Sequence, residues 1–352
     1  MKKFIAIVLL IMLIISDCRA DEVKDVTEAL PDSVKETVGS IEDITDTQSF
    51  IERLTASVKQ NVSASIKAVI GKVLAVLSVA VLCGIFGVFG TKEIPEYIPL
   101  AACASVCAVC IGDMGSYIRL GTQAVTDISL FSKTLLPAVC SLTAACGNIS
   151  SAAVRFAASA LFMDVFISAA ERFIIPLIYA YLALTVAAAA FCDAVLKSIA
   201  SLIKWACRSL MTLLTLLFTV YITVSGAIAK SGDAVATRLT KTAISSVLPL
   251  VGSIISDAAS SVVAGAELIK NTVGAFGLAA VAAICISPLT VLFINYLGLK
   301  VSEACVNALN VKPVSELVGG IGTAFSMLMG LVGTCGLLMF ISLISCIRTV
   351  TG

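Results

Sequence analysis

The sequence predicts an all-α, polytopic membrane protein with a cleavable signal peptide and a short helical extracytoplasmic N-terminal region. The 352 residues are 59% hydrophobic and 13% charged, with a mean hydropathy of +1.05, so the chain lacks the polar surface that a soluble domain of this size requires. The apolar residues also fall into long runs, and a helix satisfies all of its own backbone hydrogen bonds inside a bilayer.

Residues 1–20 have the features of a secretory signal peptide. Lys2 and Lys3 precede an apolar run over 4–15, and Cys18 and Ala20 supply small residues before acidic Asp21. This order predicts cleavage after Ala20. The run of twelve residues is short for a membrane span, and an uncleaved anchor is the alternative.

Residues 21–67 form an acidic region that export would place outside the cytoplasm. Apolar side chains recur there at spacings of three and four, as in Phe50, Leu54, Val58 and Val62, which predicts amphipathic helices. A region of this size is too small for a strong core of its own. We therefore expect its apolar stripes to pack on each other, on the membrane surface or on a partner.

Residues 68–348 form a multi-span membrane domain with a predicted seven to nine helices. Two weaker segments, 151–170 and 244–265, contain charged residues. The strong apolar segments are 68–90, 97–112, 130–147, 173–192, 209–229, 273–297 and 317–347.

Basic residues predict the orientation of these spans. Lys197, Lys204 and Arg208 surround Trp205 in one connection, which the positive-inside rule makes cytoplasmic. Five preceding spans would satisfy this placement. The next basic cluster, within residues 230–241, would then lie outside the cytoplasm, so 231–247 is interpreted as an amphipathic or re-entrant element.

The chain contains no residue pattern that is typical of an enzyme. It has no histidine, no Walker A loop, no dinucleotide glycine fingerprint and no metal-ligand spacing. We therefore expect no catalytic site, no cofactor and no metal. The net charge of +1 gives no reason to expect nucleic-acid binding. The thirteen cysteines lie mostly in apolar runs, where they are interpreted as small packing residues.

Two ionisable residues in the weaker segment 151–170 are candidate intramembrane residues. Arg155 and Asp164 lie two and a half helical turns apart, at about 3.6 residues per turn, so they cannot pair on one helix. A charge at membrane depth costs at least about 2.5 kcal/mol, so each is expected to meet another helix, water or a headgroup.

A series of short motifs over about seventy residues resembles the stage III sporulation protein AE family. The length, the N-terminal signal and the multi-span hydropathy agree with that resemblance. The motifs are Ser225-Gly226, Gly232-Asp233, Lys241-Thr242-Ala243, Leu248 to Gly252, Ser256-Asp257-Ala258, Lys270 to Gly274, Gly277-Leu278 and Pro288, and they define a family-like core over 225–300.

The resemblance implies a membrane subunit of the secretion-like channel complex that joins the mother cell to the forespore during endospore formation. The implied location is the mother-cell membrane around the forespore. The implied partners are other stage III sporulation A-operon membrane proteins, a separate cytoplasmic ATPase and a forespore-side ectodomain protein, in addition to membrane lipid. Association with further copies of the chain remains open.

The family-like core contains further candidate residues. Asp257 lies in a Ser- and Ala-rich segment and is expected to face the bundle interior or a wet cavity, paired with Lys241, Lys270 or a partner's cation. Glu267 lies too far along the helix to share that partner, and Asn271 belongs to the same motif as Lys270. The candidate helix breakers are Pro249, Gly252 and Pro288.

A secondary transporter is the alternative function. It would use intramembrane Asp164, Asp257 and Arg155 as coupling groups, and broken helices are typical of that class. The sequence shows no internal repeat with helix breaks at matching positions in two halves. The transporter interpretation therefore lacks the repeat that usually accompanies broken helices in that class.

Overall fold

The structure, a computed structural model, describes residues 28, 30, 31 and 35 and then 47–89, 97–112, 114–146, 149–247 and 252–347. The side chains of residues 225–271 lie outside that description. The proposed signal peptide and most of the acidic region before residue 47 also lie outside it.

The described chain is built of helices and short connections, which confirms the all-α prediction. No strand occurs within the described ranges. The helices are α1 Thr47–Phe89, α2 Tyr97–Ile111, α3 Met114–Ala145, α4 Ile149–Ala169, α5 Ile175–Phe191, α6 Ala194–Val247, α7 Gly252–Ala308 and α8 Lys312–Ile347.

Six helical stretches within the described residues are long and apolar enough to cross a membrane. The apolar stretch Leu100–Cys110 in α2 is shorter than these. The six are Asn61–Ile85, Met114–Ala145, Ala152–Phe191, Ala194–Val224, Thr272–Ala308 and Lys312–Cys346. The sequence-based count was higher because it included 97–112 and 244–265 and treated 151–170 and 173–192 as separate spans.

Segments 151–170 and 173–192 form one continuous helix, so their separation into two spans was wrong. A π-helical turn, Ala170–Ile174, joins α4 to α5 without reversing the chain. It contains two adjacent charged residues, Glu171 and Arg172. Pro176 follows two residues after the turn and lacks the N–H that an α-helix needs, and the wider turn before it accommodates that loss.

Helix α8 lies at the centre of the bundle. It packs against α2, α3, α4, α5, α6 and α7, and its closest association is with α7. Leu317, Ile321, Leu328, Leu331 and Cys335 are fully buried on it. This helix is therefore apolar all round over most of its length, as expected for a core element.

Helix α1 lies at the edge of the bundle and runs along α7. Asn61 donates a hydrogen bond to the Ser287 hydroxyl at 3.0 Å, and eight residues later Val69 lies against Gly298. Both contacts advance in the same direction along the two helices, so α1 and α7 are parallel. The close approach at Gly298 is possible because glycine has no side chain there.

Candidate functional site

A polar cavity among the described residues lies between α5, α6, α7 and α8, at one end of the bundle. It is a cleft of about 290 Å³. Its charged lining residues are Lys197, Lys204, Lys300, Glu303 and Glu316. We refer to it as the lysine cleft.

Two ion pairs use four of these five charges. Lys197 on α6 contacts Glu316 on α8 at 2.5 Å, and Lys300 contacts Glu303 within α7 at 2.7 Å. Lys204 is half-buried and makes no hydrogen bond or ion pair with any residue that the structure describes. The cleft therefore holds one uncompensated positive charge.

Two adjacent glycines of α8 allow its neighbours to approach closely at this point. A Cβ atom on Gly319 would collide with the Glu303 carboxylate, and one on Gly320 would collide with Cγ2 of Thr185 on α5. The wall of the cleft is therefore formed partly by backbone. The contact with Thr185 requires glycine at 320, whereas a Cβ atom at 319 would displace only the flexible end of the Glu303 side chain.

Two tight turns close the same end of the bundle. Cys192 ends α5 and Asn310 follows α7, and both have a left-handed backbone with φ of 53° and 59°. Such a residue ends a helix and lets the chain reverse quickly. The turns bring the starts of α6 and α8 together and so position Lys197 beside Glu316.

Arg155 lies at the opposite end of the bundle, where α4 begins and α8 ends. Its guanidinium donates to the carbonyl oxygen of Ser345 at 2.7 Å and also contacts the Ser345 hydroxyl. Its Nε atom and the Ser159 hydroxyl are buried without a hydrogen-bond partner among the described residues. Arg155 thus has a partner on another helix, as the sequence required.

Asp164 lies in a different, mostly apolar cleft of about 270 Å³. Lys133 and the hydroxyl-bearing Ser129 and Ser132 of α3 line the same cleft. Arg155 does not line it. The two residues that the transporter interpretation joins functionally therefore have separate surroundings, and a shared coupling site is not favoured.

The charged contacts at the two ends are separated by approximately one bilayer. Glu316 and Ser345 lie on the same continuous helix, about 43 Å apart at a rise of ~1.5 Å per residue. A bilayer with its headgroup layers is about 40–45 Å thick. The lysine cleft and Arg155 therefore lie at opposite headgroup levels when α8 stands upright in the membrane.

The candidate residues of the family-like core fall where only the backbone is described. Lys241 belongs to α6, and Asp257, Glu267, Lys270 and Asn271 belong to α7. Their side chains lie outside the described residues, so their pairing remains a prediction.

The three candidate helix breakers differ from one another in the structure. Gly252 is the first residue of α7, and Pro249 lies outside the described residues. The prediction that Pro288 interrupts its helix is wrong, because α7 continues through it. Proline at this position removes one backbone hydrogen bond, and the packing of α7 against α8 and α1 keeps the helix intact.

Sequence reasoning missed a charge in the first span. Lys72 donates to the Tyr117 hydroxyl at 2.9 Å, and its ammonium lies 4.7 Å from the centre of the Tyr117 ring. A lone lysine in the apolar run 68–90 was the available signal. Lys300, Glu303 and Glu316 were also missed, although they directly flank the last two apolar segments.

The cysteines are packing residues within the described part of the chain. Most are buried, and none of those described there forms a disulfide. Cys140 and Cys346 lie in contact, with 3.7 Å between their Sγ atoms. No group of three or more acidic, cysteine or histidine side chains in the described ranges is arranged to hold a metal ion.

Comparison with known proteins identifies one family. The sequence model of stage III sporulation protein AE matches residues 30–350. A curated relative from Bacillus subtilis (strain 168), named stage III sporulation protein AE, is 24% identical over 227 residues. That match covers 64% of this chain and 57% of the relative, little more than half of its length. No solved structure matches the chain.

Proposed function

Since the chain belongs to the stage III sporulation protein AE family, we propose that it is a membrane subunit of a secretion-like channel complex between the mother cell and the forespore. Family membership gives it a role in sporulation, and its six apolar helices make it a multi-pass membrane protein. The channel complex, its two cells and the mother-cell membrane as the location belong to the proposal.

The observation that carries the proposal is the length of the family match, which includes nearly all of the described membrane domain. A non-enzymatic role is consistent with the side chains found there. Several of their charges are engaged in helix–helix contacts at the two ends of the bundle, as in Lys197–Glu316 and Arg155–Ser345.

The proposed partners are other stage III sporulation A-operon membrane proteins, a cytoplasmic ATPase and a forespore-side ectodomain protein. In this arrangement residues 21–67 are exported and available to a partner outside the mother-cell cytoplasm. The ATPase supplies the energy, since the chain carries no nucleotide-binding loop of its own.

The test is affinity purification of the tagged full-length chain from sporulating cells of its endospore-forming host, followed by protein identification. We expect the sporulation membrane proteins and the ATPase to co-purify, and we expect deletion of the gene to abolish heat-resistant spores. A chain that purifies alone and drives ion-coupled solute uptake in proteoliposomes would instead establish the transporter alternative.

A further inference from the structure

We propose that the lysine cleft binds the phosphate group of an anionic phospholipid, with Lys204 as the main cation. The proposal is independent of the channel function, because it depends only on the charges and the position of the cleft.

The first argument is the charge balance inside the cleft. Its two glutamates are each engaged by a lysine, Glu316 by Lys197 and Glu303 by Lys300. Lys204 lines the same space without a partner among the described residues. One unpaired ammonium complements one singly charged phosphodiester.

The second argument is that the lysines are the main hydrogen-bond donors that the cleft offers to a ligand. Ser201, Thr185 and Thr323 line the cleft together with the lysines. The Thr185 and Thr323 hydroxyls donate to carbonyl oxygens one turn earlier in their own helices, so their protons are already engaged. The ammonium group of Lys204 is therefore the principal donor for a phosphate oxygen, with the remaining N–H groups of the two paired lysines beside it.

The third argument is the level of the cleft in the membrane. It lies about 43 Å from the Arg155–Ser345 contact along α8, at ~1.5 Å per residue, and so at one headgroup layer. Basic pockets between transmembrane helices at this level are typical binding sites for acidic lipid headgroups.

The fourth argument is the apolar surface beside the cleft. Leu202 and Trp205 on α6 are 65% and 67% exposed, and they are the direct neighbours of the lining residues Ser201 and Lys204. On α7, Val301 follows Lys300 and is 54% exposed. A phospholipid matches both the charged cleft and the apolar surface, because its phosphate enters the cleft while its acyl chains cover these apolar side chains.

The experiment measures lipid binding to the purified full-length chain by native mass spectrometry. The probes are phosphatidylglycerol, phosphatidylcholine and inorganic phosphate, each titrated separately. We expect phosphatidylglycerol to bind more tightly than phosphatidylcholine and to resist competition by inorganic phosphate. We expect Lys204→Gln to weaken phosphatidylglycerol binding about fivefold, the effect of one lysine at an anionic headgroup.

Two variants serve as controls. Lys204→Arg keeps the positive charge and should retain binding. Lys133→Gln removes a lysine from the Asp164 cleft at the other end of the bundle and should leave phosphatidylglycerol binding unchanged. All variants are compared with the parent chain for yield and thermal unfolding, so a folding defect is recognised directly.

Three results would overturn the proposal. The first is equal affinity for phosphatidylglycerol and phosphatidylcholine. The second is unchanged phosphatidylglycerol binding by Lys204→Gln. The third is complete displacement of phosphatidylglycerol by inorganic phosphate, which would assign the cleft to a free anion.

Discussion

Lys197 near the start of α6 and Glu316 near the start of α8 form an ion pair across 2.5 Å, beside the two tight turns that reverse the chain. The two residues lie far apart in sequence, so the pair joins two antiparallel helix hairpins, α5–α6 and α7–α8, at one end of the bundle. The Lys197 side chain is 60% exposed and the Glu316 side chain is 50% exposed.

We predict that this ion pair contributes little to stability. Exposed pairs contribute about 0.2–1 kcal/mol, because water and salt screen them. A double-mutant cycle with Lys197→Gln and Glu316→Gln, read as the free energy of unfolding in detergent, should give a coupling in that range. A coupling several times larger would mean that the pair is shielded from water.

We predict that Gly320→Ala destabilises the bundle by about 1–3 kcal/mol, the usual effect of overpacking. The new Cβ atom would collide with Cγ2 of Thr185. Thr185→Ser removes that methyl group and should restore most of the loss in the double variant. Gly333→Ala on the same helix is the matched control, because nothing lies within 4 Å of its Cβ position. Equal effects at both glycines, measured by thermal unfolding, would contradict the close contact.

We predict that Cys140 and Cys346 form a disulfide when the purified protein is treated with copper phenanthroline. Their Sγ atoms lie 3.7 Å apart, and a small movement brings them to bonding distance. Peptide mapping by mass spectrometry should detect the cross-linked pair. Cys207, buried elsewhere, is the control thiol, and a Cys140–Cys207 cross-link in similar yield would refute this packing of α3 against α8.

We predict that the connections at 146–148 and 192–193 lie on opposite sides of the membrane. Ala152–Phe191 is one continuous helix between them, so it crosses once. The positive-inside rule places Lys197, Lys204 and Arg208 in the cytoplasm. An alkaline-phosphatase fusion near Lys204 should therefore be inactive, and one near residue 148 should be active. Equal phosphatase activity at both sites would mean that residues 152–191 cross the membrane twice, as two separate spans.

We predict that Asp257→Asn accumulates in the membrane at the parent level but fails to support sporulation. A carboxylate in this Ser- and Ala-rich segment calls for a cationic partner, and the amide keeps its size while removing its charge. Asp257→Leu should be more severe, because it leaves the opposing cation unpaired. Membrane yield and heat-resistant spore counts provide the measurement, and normal spores from both variants would assign Asp257 to an interface with headgroups.

The sequence was sufficient for the fold class, the apolar segments and the family. Hydropathy and the need to satisfy every backbone hydrogen-bonding group in the bilayer act locally. Apolar helical segments can therefore be deduced from a window of about twenty residues. The same local rules failed at Glu171–Arg172, where two adjacent charges resembled a turn. The π-helical turn keeps them on the outer surface of one continuous helix, so no reversal is needed.

The lysine cleft could not be assembled from the sequence alone. Lys197 and Lys204 were noted as a topology signal, but their neighbours Lys300, Glu303 and Glu316 come from helices about a hundred residues further along. The positions of glycines along the sequence also do not specify the packing. Gly336 lies close to the Cys285 thiol, whereas Gly333 faces open space, and the tightest approaches occur at Gly298, against Val69, and at Gly320, against Thr185. Which glycine meets a neighbour depends on helix rotation, and a single sequence does not specify that rotation.

The length of helix α1 has a mechanical consequence, because the helix is uninterrupted from Thr47 to Phe89. Its N-terminal end belongs to the acidic region, and its middle rests in the notch that Gly298 leaves for Val69. A force applied to the acidic end is therefore transmitted along one continuous helix, which would pivot about the contact between Val69 and Gly298. A partner that pulls on residues near 47 would tilt the helix and load the Asn61–Ser287 hydrogen bond, which lies between that end and Val69.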